Sequence, residues 1–159
     1  MISEQISTVK TFMSKLLIGT EFDRFYVTDI SITTNNTYNI DGHIHKDFYS
    51  KEEYESLGCP LISKWNELKP FCYQIIKGHH TPLKFKIIFK MPEDIVNMLL
   101  NESGSNLSAE NVSGFFLNIK YENDNLTCIT GTSLNVLDMS KDAEKAFDKY
   151  VLNFIEKLF

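Results

Sequence analysis

Apolar residues recur at Ile6, Val9, Met13, Leu16 and Leu17, three or four positions apart, and Gly19 follows them. That spacing lays one stripe along a helix, so residues 4–18 are predicted as an amphipathic helix with Gly19 near its C-cap. From Arg24 to Thr34 β-branched and aromatic residues dominate. Asn35-Asn36 then marks a turn, and Thr37 to His45 reads as a returning strand. Phe25 and Val27 share one parity while Ile30 and Ile32 share the other. A bulge near Thr28-Asp29 reconciles the two sets.

Ser50 followed by Glu53 fits a capping box and opens a short helix, which Gly58 and Pro60 end. Ser63 through Lys77 suits a further helix, with Pro70 dividing it into two pieces and Gly78 closing it. Pro82 to Met91 alternates as a strand, with Leu83, Phe85, Ile87 and Phe89 on one parity. Pro92-Glu93-Asp94 starts another helix, its acids near the positive end of the dipole. Asn101 to Asn111 is polar and reads as a mobile loop. Ser113–Tyr121 and Leu126–Ser133 flank the turn residues Glu122-Asn123-Asp124-Asn125 and form a second hairpin. Ser140 caps a last helix whose apolar face includes Ala143, Phe147, Val151 and Phe154. The order α-β-β-α-α-β-α-β-β-α predicts an α+β fold, a mainly antiparallel sheet of about five strands with helices packed on one face.

The chain has 159 residues, so residues 1–159 are expected to form a single globular domain. Hydrophobic residues make up 43% and charged residues 23%, which disfavours a disordered or fibrous chain. The net charge of −5 disfavours a generally basic nucleic-acid binder. No apolar run approaches the ~18–20 residues of a membrane span, and the N-terminus lacks the pattern of a signal peptide. Cys59, Cys72 and Cys128 are odd in number and widely spaced, with no CxxC pair. They read as reduced thiols of a cytoplasmic protein.

Several short stretches, taken in order, carry a family resemblance. They are Val9-Lys10-Thr11-Phe12-Met13, Phe22-Asp23-Arg24-Phe25, Ile40-Asp41-Gly42 and Ile76-Lys77-Gly78 with Thr81-Pro82-Leu83. Leu117-Asn118-Ile119-Lys120-Tyr121 and Thr130-Gly131-Thr132-Ser133 complete the set. Together they resemble a family of small bacterial proteins known only as a domain of unknown function. The resemblance covers nearly the whole chain and implies a bacterial, intracellular, single-domain protein. It implies no catalytic residue.

Candidate chemistry is sparse. His43 and His45 lie two apart on the second predicted strand and so point to one face, with Asn39 and Asp41. Two imidazoles on one strand face can begin a metal site, to which Asp41 or Asp47 would add oxygen, and His79-His80 would come from elsewhere. The plainer reading is solvated polar residues on the outer side of a sheet. Lys77-Gly78-His79-His80-Thr81 is a short basic loop, but a helix C-terminus opposes anions, so a C-cap is the favoured role. Lys84, Lys86 and Lys90 share one parity of the third strand, and Phe116, Asn118 and Lys120 share one face of the fourth. If these align with the histidines, an acidic protein carries a locally basic sheet face with one aromatic. Such a face suits stacking and phosphate contact with a single strand, yet Arg24 is the one arginine, so nucleic acid is disfavoured. No GxSxG, HExxH or GxGxxG occurs, and no cofactor is indicated.

These residues support a non-enzymatic cytoplasmic binding module that uses His43, His45, Lys84, Lys86, Lys90, Phe116 and Lys120 for a protein or anionic partner. A metal-dependent enzyme centred on His43 and His45 is the alternative. A homodimer through the exposed sheet is a third reading. No membrane partner is expected.

Overall fold

The computed structural model describes residues 1–159. Its centre is a six-stranded antiparallel sheet: β1 (Ser3–Ile6), β2 (Tyr26–Thr33), β3 (Thr37–Asp41), β4 (Lys84–Lys90), β5 (Val112–Glu122) and β6 (Asn125–Leu134). The spatial order is β1-β6-β5-β4-β2-β3. Five helices accompany it: α1 (Val9–Leu17), α2 (Lys51–Ser56), α3 (Trp65–Ile76), α4 (Glu93–Ser103) and α5 (Asp142–Glu156). The α+β architecture read from the pattern is therefore present, with one strand more.

That extra strand is β1, which takes residues that the helical stripe assigns to the first helix. Glu4 pairs with Cys128 and Ile6 with Leu126, so the segment adds to the edge of β6. Ile2 ties it further, donating its N–H to Thr130 Oγ1 at 2.9 Å and accepting the Thr130 N–H at 3.1 Å. Four residues with one buried apolar side chain carry too little periodicity to reveal a strand, and pairing with a distant edge decides. The helix starts only at Val9.

The hairpin β2–β3 turns at Thr34–Asn36, and Thr33 sits opposite Thr37 with their hydroxyls 3.0 Å apart. The expected bulge is present: the β2–β4 register shifts between Val27 and Asp29. The hairpin β5–β6 closes through Asn123 and Asp124, both with positive φ (53° and 63°), the conformation that short asparagine and aspartate side chains tolerate. Ser50 Oγ accepts the Glu53 N–H at 3.1 Å, the capping contact that opens α2. α3 runs unbroken through Pro70, where a division is expected. Trp65 and Cys72 are buried on one side of it while Pro70 is exposed on the other, so water can satisfy the carbonyl that Pro70 leaves without a donor. The polar segment 101–111 is also more ordered than its composition suggests. α4 extends to Ser103, Gly104 ends it at φ 68°, and residues 109–111 form a 3-10 turn held by Asn135.

One core of 29 buried residues gathers α1, α3, α4 and α5 against the sheet, while α2 contributes nothing to it. Val27, Ile30, Ile32, Phe85, Ile87, Phe89, Phe115, Leu117 and Ile119 face it from the central strands. Phe12, Trp65, Leu99 and Phe147 meet them from α1, α3, α4 and α5. Trp65 Nε1 donates to the Leu16 carbonyl at 2.8 Å, joining α3 to the end of α1. No helix is long and apolar enough to cross a membrane.

Candidate functional site

Strand alternation sends the partners of those core residues to the opposite face, and no helix residue of the core lies there. Lys84, Lys86, Ile88 and Lys90 project from β4, and Phe116, Asn118, Lys120 and Glu122 from β5. The register sets Lys86 opposite Lys120, Lys90 opposite Phe116, and Lys84 opposite Glu122. All five lysine and phenylalanine candidates of these two strands therefore share one surface. All are exposed or half-buried.

The surface is not uniformly basic. Asp29 on β2 faces the same way, with its Oδ2 3.7 Å from Lys86 Nζ, and Glu122 lies 3.4 Å from Lys120 Nζ. Asp41, paired with Asp29 across β2–β3, is the third carboxylate. Four lysines against three carboxylates leave one positive charge, so the basic face expected from β4 and β5 becomes a mixed one when β2 and β3 join it. Between the charges sit Ile88, Phe116 and Ile129, all half-buried. The Phe116 ring lies over Gly114: a Cβ there would come within 2.6 Å of its Cζ and 3.2 Å of Lys90 Cε. Gly131, opposite Phe116, has open space where its side chain would be.

Two depressions adjoin the lysines. One, about 280 Å³, lies among Ser31, Lys84, Lys86, Lys120 and Glu122. The other, about 480 Å³, opens beyond Lys90, where Gly58–Ile62 bends against Tyr26 and Gly114. No chemical motif in the chain points to this second cleft. Its only signals are Gly58 and Pro60 around Cys59, which itself adopts a positive φ of 52°.

The histidines are placed differently from expectation. β3 stops at Asp41, and His43 and His45 lie beyond it rather than on a shared strand. The cause is Gly42. A Cβ at that position would meet the Val27 carbonyl oxygen at 1.6 Å, so only glycine lets the chain pass the β2 bulge so closely. There Leu61–Lys64 takes over beside the start of β2: Val27 donates to the Ser63 carbonyl, and His43 bridges Ile62. His43 bonds back to Asp41, its N–H at 3.0 Å and its Nδ1 at 2.6 Å from Oδ1. The N–H first, and the imidazole second, hold the Asp41 carboxyl below its ordinary range. His45 precedes a 3-10 turn at residues 46–48. His79 and His80 lie near Leu83, which bonds to Thr33, at the other end of β2 from the Val27 bulge. No three His, Cys, Asp or Glu side chains converge in a metal-holding group. The metal-centred alternative thus has a His–Asp pair and no third ligand.

Residues 15–158 match a family of unknown function (DUF5721), and the chain belongs to that family. The match begins inside α1 and takes in every strand except β1. No curated protein and no solved structure matches the chain.

Proposed function

We propose that this is a non-enzymatic, cytoplasmic bacterial binding module whose uncovered sheet face receives a partner protein. The observation that carries this reading is the bare face itself. Lysines alternate there with half-buried Ile88 and Phe116, beside carboxylates on the neighbouring strands. Alternating charge around an apolar strip suits a protein surface of mixed charge, with Phe116 as the aromatic anchor. A polyanion is less well served, because Asp29, Asp41 and Glu122 would oppose it. The three unpaired cysteines suit a reducing compartment. His43 and His45 stand at the rim of this surface, beyond β3.

The test is affinity capture with wild-type protein, the double variant Lys84→Glu plus Lys86→Glu, and Lys149→Glu on α5 as control. A partner lost by the double variant and kept by the control supports the reading. If the double variant keeps every partner, the face is not the docking surface. Light scattering on the same proteins shows whether the partner is a second copy.

A further inference from the structure

On the helical side, across β4 and β5 from the face just described, α1 carries two apolar stripes. Phe12 and Leu16 are fully buried in the core. Val9, Met13 and Leu17, each four residues on from the last, form a second stripe that stays half-buried. This stripe, Ile76 at the end of α3 and the turn 78–82 line an open cavity of about 280 Å³. Its remaining wall is Phe85 and Tyr121, cross-strand partners whose rings stack 5.4 Å apart at 13°. The Tyr121 hydroxyl already donates to Asp124 Oδ1 at 3.2 Å, so the ring supplies an aromatic surface rather than a polar one.

The rim has the opposite character. Lys10, His79 and His80 border the cavity, and none of them has a carboxylate within ion-pair distance. No Asp or Glu lines it. In a chain of net charge −5, an apolar recess edged by one ammonium and two imidazoles and free of carboxylates is a selective arrangement. Its volume lies at the small end of ligand sites, roughly 300 Å³ and upward. We propose that this cavity binds a compact aromatic carboxylate, its ring against Phe85 and Tyr121 and its carboxylate toward Lys10, His79 and His80. Gly78, at φ 140°, makes the turn that brings the two imidazoles to the rim.

The probe is 2-naphthoate, titrated into the full chain and followed by amide chemical shifts, with the neutral 2-acetylnaphthalene in parallel. Saturable shifts centred on Met13, Ile76, Phe85 and Tyr121 are expected. Lys10→Glu, at an exposed position, weakens 2-naphthoate roughly tenfold, the loss expected for one charge-assisted hydrogen bond, and leaves 2-acetylnaphthalene unchanged. His79→Ala with His80→Ala weakens the carboxylate in the same selective way, and each variant's own spectrum reports its folding. The proposal is overturned by the absence of saturable shifts, by equal affinity for the neutral analogue, or by shifts centred instead on the cleft beside Lys90.

Discussion

Lys86 and Lys120 are direct cross-strand partners at the middle of the bare face, two ammonium groups side by side on β4 and β5. Like charges in that relation destabilise a sheet by roughly 0.2–1 kcal/mol. The exposed Lys120–Glu122 contact offsets part of this, since such pairs contribute about 0–1 kcal/mol. Lys120→Thr removes the repulsion and places a β-branched residue on the strand. The urea midpoint should stay level or rise, by up to about 0.5 kcal/mol in unfolding free energy. A loss above about 1 kcal/mol would show that the lysine supports the fold. If the face docks a partner, the same variant binds it less well, a cost in function for a gain in stability.

Gly42 and Gly131 are predicted to respond in opposite senses to alanine. At Gly42 the new methyl collides with the Val27 carbonyl, where neither backbone segment can yield without breaking the β2 bulge. Gly42→Ala should cost about 2–3 kcal/mol, the range of an overpacked site. Gly131 has nothing near its added methyl, so alanine there stabilises β6 by roughly 0.5 kcal/mol. Thermal midpoints of the two variants check the pair. Equal effects would mean that the close approach at Val27 does not constrain the edge.

The contrast between β4 and β3 explains how far the site was legible in the sequence. β4 alternates over its whole length, so the outward direction of Lys84, Lys86 and Lys90 follows from parity alone, as does that of Phe116 and Lys120 on β5. His43 and His45 do not follow parity. Parity holds only along an unbroken strand, and Gly42 ends β3 through a contact with Val27 that lies fifteen positions away in the chain. The charge of the face depends on long-range pairing in the same way: Asp29 joins Lys86 only through the β2–β4 pairing, which no local pattern fixes. β1 was hidden because Ile6 fits a helical stripe and a strand equally well, and the edge of β6 chooses between them.

Trp65 is the one tryptophan, fully buried, and its indole N–H is bonded to the Leu16 carbonyl at the end of α1. Trp65→Phe keeps an aromatic ring but leaves a small cavity and an unpaired buried carbonyl. The expected loss is about 2–3 kcal/mol, from the void and the unmade hydrogen bond together. Amide exchange should rise first in the last turn of α1, which the bond secures. Uniform acceleration across the chain would place the loss in the core as a whole.

Acid sensitivity is expected to pass in part through Asp94 at the start of α4. The hydrogen bond from the Arg24 guanidinium holds its carboxyl below the ordinary 3.8. A depressed carboxyl contributes stability above its unfolded pKa and loses it as the pH falls through the lower, folded one. Asp94→Asn should therefore lower the thermal midpoint slightly at pH 7 and flatten its decline below about pH 4, the two proteins converging in acid. An unaltered acid limb would mean that the exposed pair is screened by solvent and contributes nothing.

Alkaline sensitivity has the opposite sign. Burial pushes the Cys72 and Cys128 thiols from 9.0 up to about 12. A raised thiol is neutral in the fold at a pH where the unfolded chain already releases its proton. Its contribution is therefore fully present below pH 9 and is lost between 9 and about 12. Burial of Tyr121 and Tyr150 raises their phenols too and acts in the same sense. Cys72→Ala with Cys128→Ala loses packing at pH 7, yet its urea midpoint should fall less steeply than that of the wild type from pH 9 to 11. The same burial divides the thiols by access: a disulfide reagent at pH 8 should consume one thiol per native chain, Cys59, and the other two only after unfolding. Rapid reaction of all three in the native protein would show that the core opens at Cys72 or Cys128. The alkaline limb would then have to be assigned to the tyrosines.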